Sequence, residues 1–297
     1  MKWKRNTGFD QIEDRRGQSG GGLGGALGGG SGGGIPIPIP GGRTGGGIGG
    51  IIISIILFLL VSGVLGGGVP GLGGLGGGGV AQPGGTLDPQ SDTDQQLGYI
   101  VNSVQSFWAS TFKAAGRDYP ETKLVLFDGS TSSSCGPASA ATGPFYCPAD
   151  QKVYLDLGFF DELRSRFGAQ GGDFAMAYVV AHEFGHHVQN ALGIAERVQQ
   201  MTQQDPSQQN ALSVRMELQA DCLAGAWANS AATDLQPGDI DEALSAASAV
   251  GDDRIQQSTS GRVDPESWTH GSAEQRVAWF TKGYQSGNSD ACDTFAQ

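Results

Sequence analysis

Ala181-His182-Glu183-Phe184-Gly185-His186-His187-Val188 holds three of the four histidines in a chain of 297 residues. On an α-helix, residues four apart are separated by about 400° around the axis, so the imidazoles of His182 and His186 leave the same face and can grip one metal ion. Glu183 projects beside that ion, where its carboxylate can take a proton from a metal-activated water. Val179, Val180, Phe184 and Val188 are apolar, the company of a helix buried beside a site. Residues 173–192 are predicted as that helix, with an acidic start and Gly193 at its end. The bare five-residue pattern also fits two buried histidines in a hydrogen-bond network with a glutamate, so the rest of the chain must decide.

A catalytic zinc takes three protein ligands and leaves a fourth position for water. Asp205-Pro206-x-Gln208 gives a cap, a proline at the first helical position and a capping glutamine, opening a predicted helix over about 206–230. On it Glu217 and Asp221 are four apart and share a face. Their neighbours are Met216, Leu218, Ala220, Leu223, Ala224, Ala226 and Trp227, poor company for a solvated pair. Buried carboxylates need a partner, and a cation supplies one. One of the two can ligate the metal while the other accepts the free ring N–H of a ligating histidine, which fixes the tautomer.

His182-Glu183-x-x-His186 with a downstream Glu217-x-x-x-Asp221 resembles the gluzincin metallopeptidases, the thermolysin-like group. HEFGHHVQ from His182, ELQADCLAGAWA from Glu217 and HGSAEQRVAWFTKGY from His270 resemble more closely the YpfJ-type neutral zinc metallopeptidases, over approximately 92–297. The resemblance implies Zn2+ held by His182, His186 and Glu217, Glu183 as general base and Asp221 orienting His182. Met216 stands where thermolysin has an asparagine, and 30 residues separate His186 from Glu217, more than in thermolysin. Thr269-His270-Gly271-Ser272 with Arg276 resembles the His-Pro…Arg segment of membrane heat-shock zinc proteases. That implies His270, and less directly Arg276, as a group that stabilises the oxyanion of a tetrahedral intermediate. His187, about 100° around the helix from His186, reads as a surface or supporting histidine.

Around these motifs, Leu97, Ile100, Val101, Val104, Phe107, Trp108 and Phe112 recur at helical spacing over about 92–115. Thr122–Phe127 and Lys152–Leu157 read as strands, separated by a turn-rich loop over 132–148. Further helices are predicted at 157–167, about 239–250 and from Ser272 to the tail. The class is α+β: a mostly helical zincin-like domain over 92–297 with a small β-sheet. Lys152–Asp156 or Leu124–Phe127 is a candidate edge strand to pair with an extended peptide or protein substrate. Cys135, Cys147, Cys222 and Cys292 allow three disulfide connectivities; Cys135–Cys147, a short local loop, with Cys222–Cys292 is favoured.

The N-terminal third reads differently. Of 51 glycines, 32 lie between Gly17 and Gly85, with no three-residue period, which excludes both a packed core there and collagen. Ile35-Pro36-Ile37-Pro38-Ile39-Pro40 favours a short polyproline II rod inside a flexible tether. Gly46–Gly67 carries no charge and centres on Ile51–Val61, long enough to span a bilayer as a helix. Charge balances +3 before it and −15 after it, predicting a single-pass inner-membrane anchor with a cytoplasmic N-terminus and an extracytoplasmic catalytic domain. The expected order is a tail over 1–45, the span over 46–67, a linker over 68–91 and the domain. The acidic domain excludes electrostatic binding of nucleic acid. The expected activity is hydrolysis of peptide bonds; a non-catalytic zinc-binding scaffold and a cell-wall peptide amidase use the same residues.

Overall fold

Leu124-Val125-Leu126-Phe127 is apolar at every position, the pattern of a strand covered on both faces. In the computed structural model, which describes residues 1–2, 8–18, 53–54 and 85–296, this stretch is buried throughout. It is β3 of a five-stranded sheet, following β1 (Ile12–Asp14) and β2 (Ile53–Ser54) in the chain. β6 (Phe145–Cys147) and β7 (Lys152–Asp156) complete the sheet in the order β1-β3-β7-β6-β2. β3 runs parallel to both β1 and β7, and β6 runs antiparallel to β7 and β2. The two-residue alternation of strands sorts their side chains. Leu124, Leu126, Tyr146, Val153 and Leu155 enter the main core with the helices, while Val125, Phe127, Phe145, Cys147 and Tyr154 pack on the other face with Ala138. Ala138 belongs to a separate hairpin of β4 (Ser130–Ser133) and β5 (Gly136–Ser139).

The helices are α1 (Asp92–Ala114), α2 (Phe159–Ser165), α3 (Asp173–Ala191), α4 (Ile194–Gln204), α5 (Gln209–Ser230), α6 (Asp239–Ala249), α7 (Asp252–Ser260) and α8 (Ala273–Ser286). α1 buries Leu97, Ile100, Val101, Val104, Trp108 and Phe112, the stripe its spacing implied. α3 is buried without a break from Phe174 to Gln189 and packs against α1, α5 and α6. α8 starts on a reciprocal cap between Ser272 and Gln275. Both expected disulfides are present, and Cys222–Cys292 ties α5 to the C-terminal segment.

Several expectations need correction. Neither candidate strand is an edge: β3 lies between β1 and β7, and β7 between β3 and β6. The expected loop over 132–148 contains most of the hairpin and β6. α4 and α7 went unassigned because few apolar residues mark them; α4 buries Val198 alone, and α7 buries Asp252, Ile255 and Gln256. The single-pass anchor is overturned. No helix among the described residues is long and apolar enough to cross a membrane. Ile53–Ser54, in the middle of the expected span, is a strand whose Cα partners are Tyr146 and Phe145. The remainder of 46–67, the glycine runs and Ile35–Pro40 lie outside the described residues. Nor can a bilayer separate the N-terminus from the domain. β1 shares the sheet, Arg16 Nη2 is 3.0 Å from Asp94 Oδ2, and the Met1 amine is 2.9 Å from Asp239 Oδ2.

Candidate metal centre

Two helices must approach closely for groups on both to meet. Gly185, inside the histidine motif, faces Ala220, between Glu217 and Asp221. A Cβ on Gly185 would sit 3.1 Å from the Ala220 Cα and carbonyl oxygen. Small residues at the crossing of α3 and α5 therefore set the spacing of the four polar side chains around it.

His182, His186 and Glu217 are buried, and one ligating atom from each lies within 4.8 Å of the others. His182 Nε2 is 3.2 Å from Glu217 Oε2, and His186 Nε2 is 3.4 Å from Glu217 Oε1 without forming a hydrogen bond. The outer ring nitrogens are taken. His182 Nδ1 donates to Asp221 Oδ1 at 2.8 Å, and His186 Nδ1 donates to Gln189 Oε1 at 2.8 Å. Asp221 in turn receives Arg276 Nε on Oδ2 at 2.8 Å, Arg276 Nη2 on Oδ1 at 2.9 Å and the Tyr178 hydroxyl on Oδ1 at 2.6 Å. Arg276 Nη2 is also 3.8 Å from Glu217 Oε2. Both Glu183 carboxylate oxygens are buried with no hydrogen-bond partner.

Without a metal the charges work against one another. Burial, with a smaller push from the Glu217 charge, carries the Glu183 carboxyl up to about 7, the pull of the two imidazoles and Arg276 notwithstanding. Burial opposes ionisation of Glu217 as well, but His186 and His182 outweigh it and hold the carboxyl well below its ordinary value. Asp221 is likewise kept low, burial being overcome by Arg276 and His182. Burial would lower His182, yet Asp221 and Glu217 carry it up to about 9.

The residues fit a zinc ion on three observations. Zinc–nitrogen and zinc–oxygen bonds of about 2.0–2.1 Å in a tetrahedron put neighbouring donors roughly 3.3–3.5 Å apart, and the imidazole separations of 3.2 Å and 3.4 Å from the two Glu217 oxygens lie close to that spacing. His186 Nε2 and both Glu183 oxygens are buried polar atoms without hydrogen bonds, a costly state that a cation relieves. With both imidazoles neutral, as ligands must be, three carboxylates against one arginine leave an excess of negative charge for a divalent ion to balance.

The structure thus brings together His182, Glu183, His186, Glu217 and Asp221. Arg276 joins them, its guanidinium engaged by Asp221. His187 is buried rather than on the surface; its Nδ1 is 3.1 Å from the Tyr146 hydroxyl and its Nε2 is 2.5 Å from the Pro120 carbonyl oxygen. His270 is buried on the segment entering α8, with Nδ1 3.0 Å from Asp252 Oδ1. Asp252 Oδ2 accepts the backbone N–H groups of Thr269, His270 and Gly271, and Gly271 sits against Val214 and Leu218 of α5, beside Glu217. Two participants escaped the sequence analysis, Tyr178 and Gln189. Tyr178 precedes His182 by four residues and Gln189 follows His186 by three, so the helical face already in use was the available signal.

A family described as "Putative neutral zinc metallopeptidase" matches residues 1–295. The chain is 42% identical over 303 aligned residues to the uncharacterized protein YpfJ of Escherichia coli K12, covering 100% of this chain and 99% of YpfJ. It is 50% identical over 207 residues to the uncharacterized protein Rv2575 of Mycobacterium tuberculosis, covering 66% of this chain and 68% of that protein. No solved structure matches.

Proposed function

The chain belongs to the neutral zinc metallopeptidase family, and from that premise we propose that it hydrolyses peptide bonds at the centre formed by α3 and α5. The observation that carries this is a buried pair of imidazole Nε2 atoms converging on Glu217, with the unpartnered Glu183 carboxylate beside them. His182, His186 and Glu217 would hold the ion. Bound there, zinc supplies Lewis-acid polarisation of a water and of the scissile carbonyl. Glu183 takes the proton of the attacking water and delivers it to the leaving amine, a task suited to a carboxyl displaced toward neutrality. Asp221, braced by Arg276 and Tyr178, holds His182 with its Nε2 lone pair inward. His270, its ring fixed by Asp252, is assigned to steady the oxyanion. The substrate is a peptide or an unfolded protein segment.

The test is cleavage of a denatured protein by the full chain. Activity should vanish with a chelator and return with zinc. Glu183→Gln should lower kcat by roughly 10²–10⁴-fold with zinc still bound. Zinc retained by the wild type without cleavage of proteins or of muropeptides would favour the scaffold alternative. Cleavage of muropeptides alone would identify the cell-wall amidase.

A further inference from the structure

A metal-ligating imidazole must keep its proton on the nitrogen remote from the metal, and the group that enforces this for His186 is unusual. His182 has a carboxylate, which can only accept. His186 has the carboxamide of Gln189, which can present either oxygen or NH2. Turned the wrong way, the amide would donate to Nδ1, force the proton onto Nε2 and abolish the ligand.

The surroundings remove that freedom. Gln189 Nε2 lies 2.7 Å from the Met216 carbonyl oxygen, an atom that can only accept. The NH2 must therefore face Met216, leaving Oε1 toward His186 Nδ1. The same nitrogen is 3.1 Å from Gln219 Oε1. Gln219 is a second ambiguous amide, and its Nε2 is 3.0 Å from the Cys292 carbonyl oxygen, again an acceptor only. A one-way chain results. Gln219 donates to Cys292, Gln189 donates to Gln219 and Met216, His186 Nδ1 donates to Gln189, and Nε2 is left bare. Gln189 is fully buried and Gln219 nearly so, which keeps competing water away. Cys292 is fixed by its disulfide to Cys222, and Met216 immediately precedes Glu217.

Resting on the metal site assigned above, we infer that Gln189 is a positioning residue that locks the His186 tautomer. Its orientation is set by the Met216 carbonyl and, through Gln219, by the disulfide-held C-terminal segment. Gln189 also joins α3 to the turn of α5 that carries Glu217, so one amide aligns two ligands.

The experiment is competition for Zn2+ between the full chain and a chromogenic chelator, with Gln189→Met and Gln219→Met beside the wild type. Gln189→Met keeps the length and burial but has no amide; it should bind zinc roughly 10- to 100-fold more weakly. Gln219→Met should fall between it and the wild type. In 15N spectra of the metal-free wild type, His186 should carry its proton on Nδ1; Gln189→Met should lose that preference and Gln219→Met should only weaken it, the Met216 carbonyl still holding the Gln189 amide. Wild-type affinity in a folded Gln189→Met chain would overturn the inference while leaving the metal site intact. Should Gln189→Met fail to fold, a metal-free wild type with His186 protonated on Nε2 would overturn it equally. A wild type without zinc affinity would instead reject the metal site itself.

Discussion

Glu183 is ionisable, buried and without a hydrogen-bond partner on either oxygen, so its charge costs the folded metal-free protein energy. Its carboxyl moves from an ordinary value of 4.5 to about 7 on folding, burial being the largest cause. The ionised form is thus disfavoured in the fold. That cost is full above pH 7, shrinks as pH falls toward 4.5 and disappears below it. Glu183→Gln should therefore stabilise the metal-free protein by on the order of 3 kcal/mol at pH 8 and by almost nothing at pH 4. Denaturant titrations at the two pH values measure this; an equal effect at both would reject the buried, uncompensated charge. Arg276 gives the opposite case. Its guanidinium is fully buried on Asp221, so Arg276→Met should cost about 3–5 kcal/mol by removing the cation that balances that buried carboxylate, read as a fall in unfolding free energy. His182, Glu183, His186, Glu217 and Asp221 were legible as a group from helical spacing and apolar neighbours, and which of the two carboxylates ligates only from the family resemblance. Tyr178, Gln189 and the grip of Arg276 on Asp221 were not, because an amide or a phenol announces no chemistry until its partner across the fold is known.

At the scale of elements, glycine and alanine do the spacing. Gly225 and Gly283 lie where α5 crosses α8; a Cβ on Gly283 would come within 1.9 Å of the Cys222 carbonyl oxygen, and one on Gly225 within 2.1 Å of the Phe280 carbonyl oxygen. Gly283→Ala should destabilise by roughly 1–3 kcal/mol or more, lowering the melting temperature, because backbone rather than a flexible side chain must move. Gly185→Ala meets Ala220 less severely, at 3.1 Å, and should loosen zinc affinity more than it lowers stability. A chelator competition beside a melting curve separates the two effects. A periodic apolar face made α1 readable in advance, and start or stop signals made α3, α5 and α8 so. α4 and α7, short and polar, offered no such face, and the hairpin of β4 and β5 is built from serine with threonine, glycine, proline and a single alanine, whose pairing is not encoded by hydrophobic alternation.

For the whole molecule, Met1 and Ile12–Asp14, ahead of the glycine-rich tract, are part of the fold. Ile12–Asp14 extends the sheet beside Leu124–Leu126, a pairing across more than 100 residues that local patterning cannot reveal. An uncharged isoleucine-rich run and a charge asymmetry suggested an anchor; sheet pairing before that run and within it corrected it. The Cys222–Cys292 bridge closes a separation of 70 residues, for which loop entropy alone gives about 4 kcal/mol, so replacing both cysteines by alanine should lower the unfolding free energy by up to that amount. The same loss should weaken zinc binding through Gln219, whereas replacing Cys135 and Cys147 should leave affinity unchanged. The claim on which all of this depends is that α3 and α5 share one divalent ion. Elemental analysis of the purified full chain, wild type beside Glu217→Ala, addresses it most directly. The account predicts one zinc per wild-type chain and loss of that zinc in the folded variant; a wild type without zinc, or a variant that keeps its zinc, would contradict it.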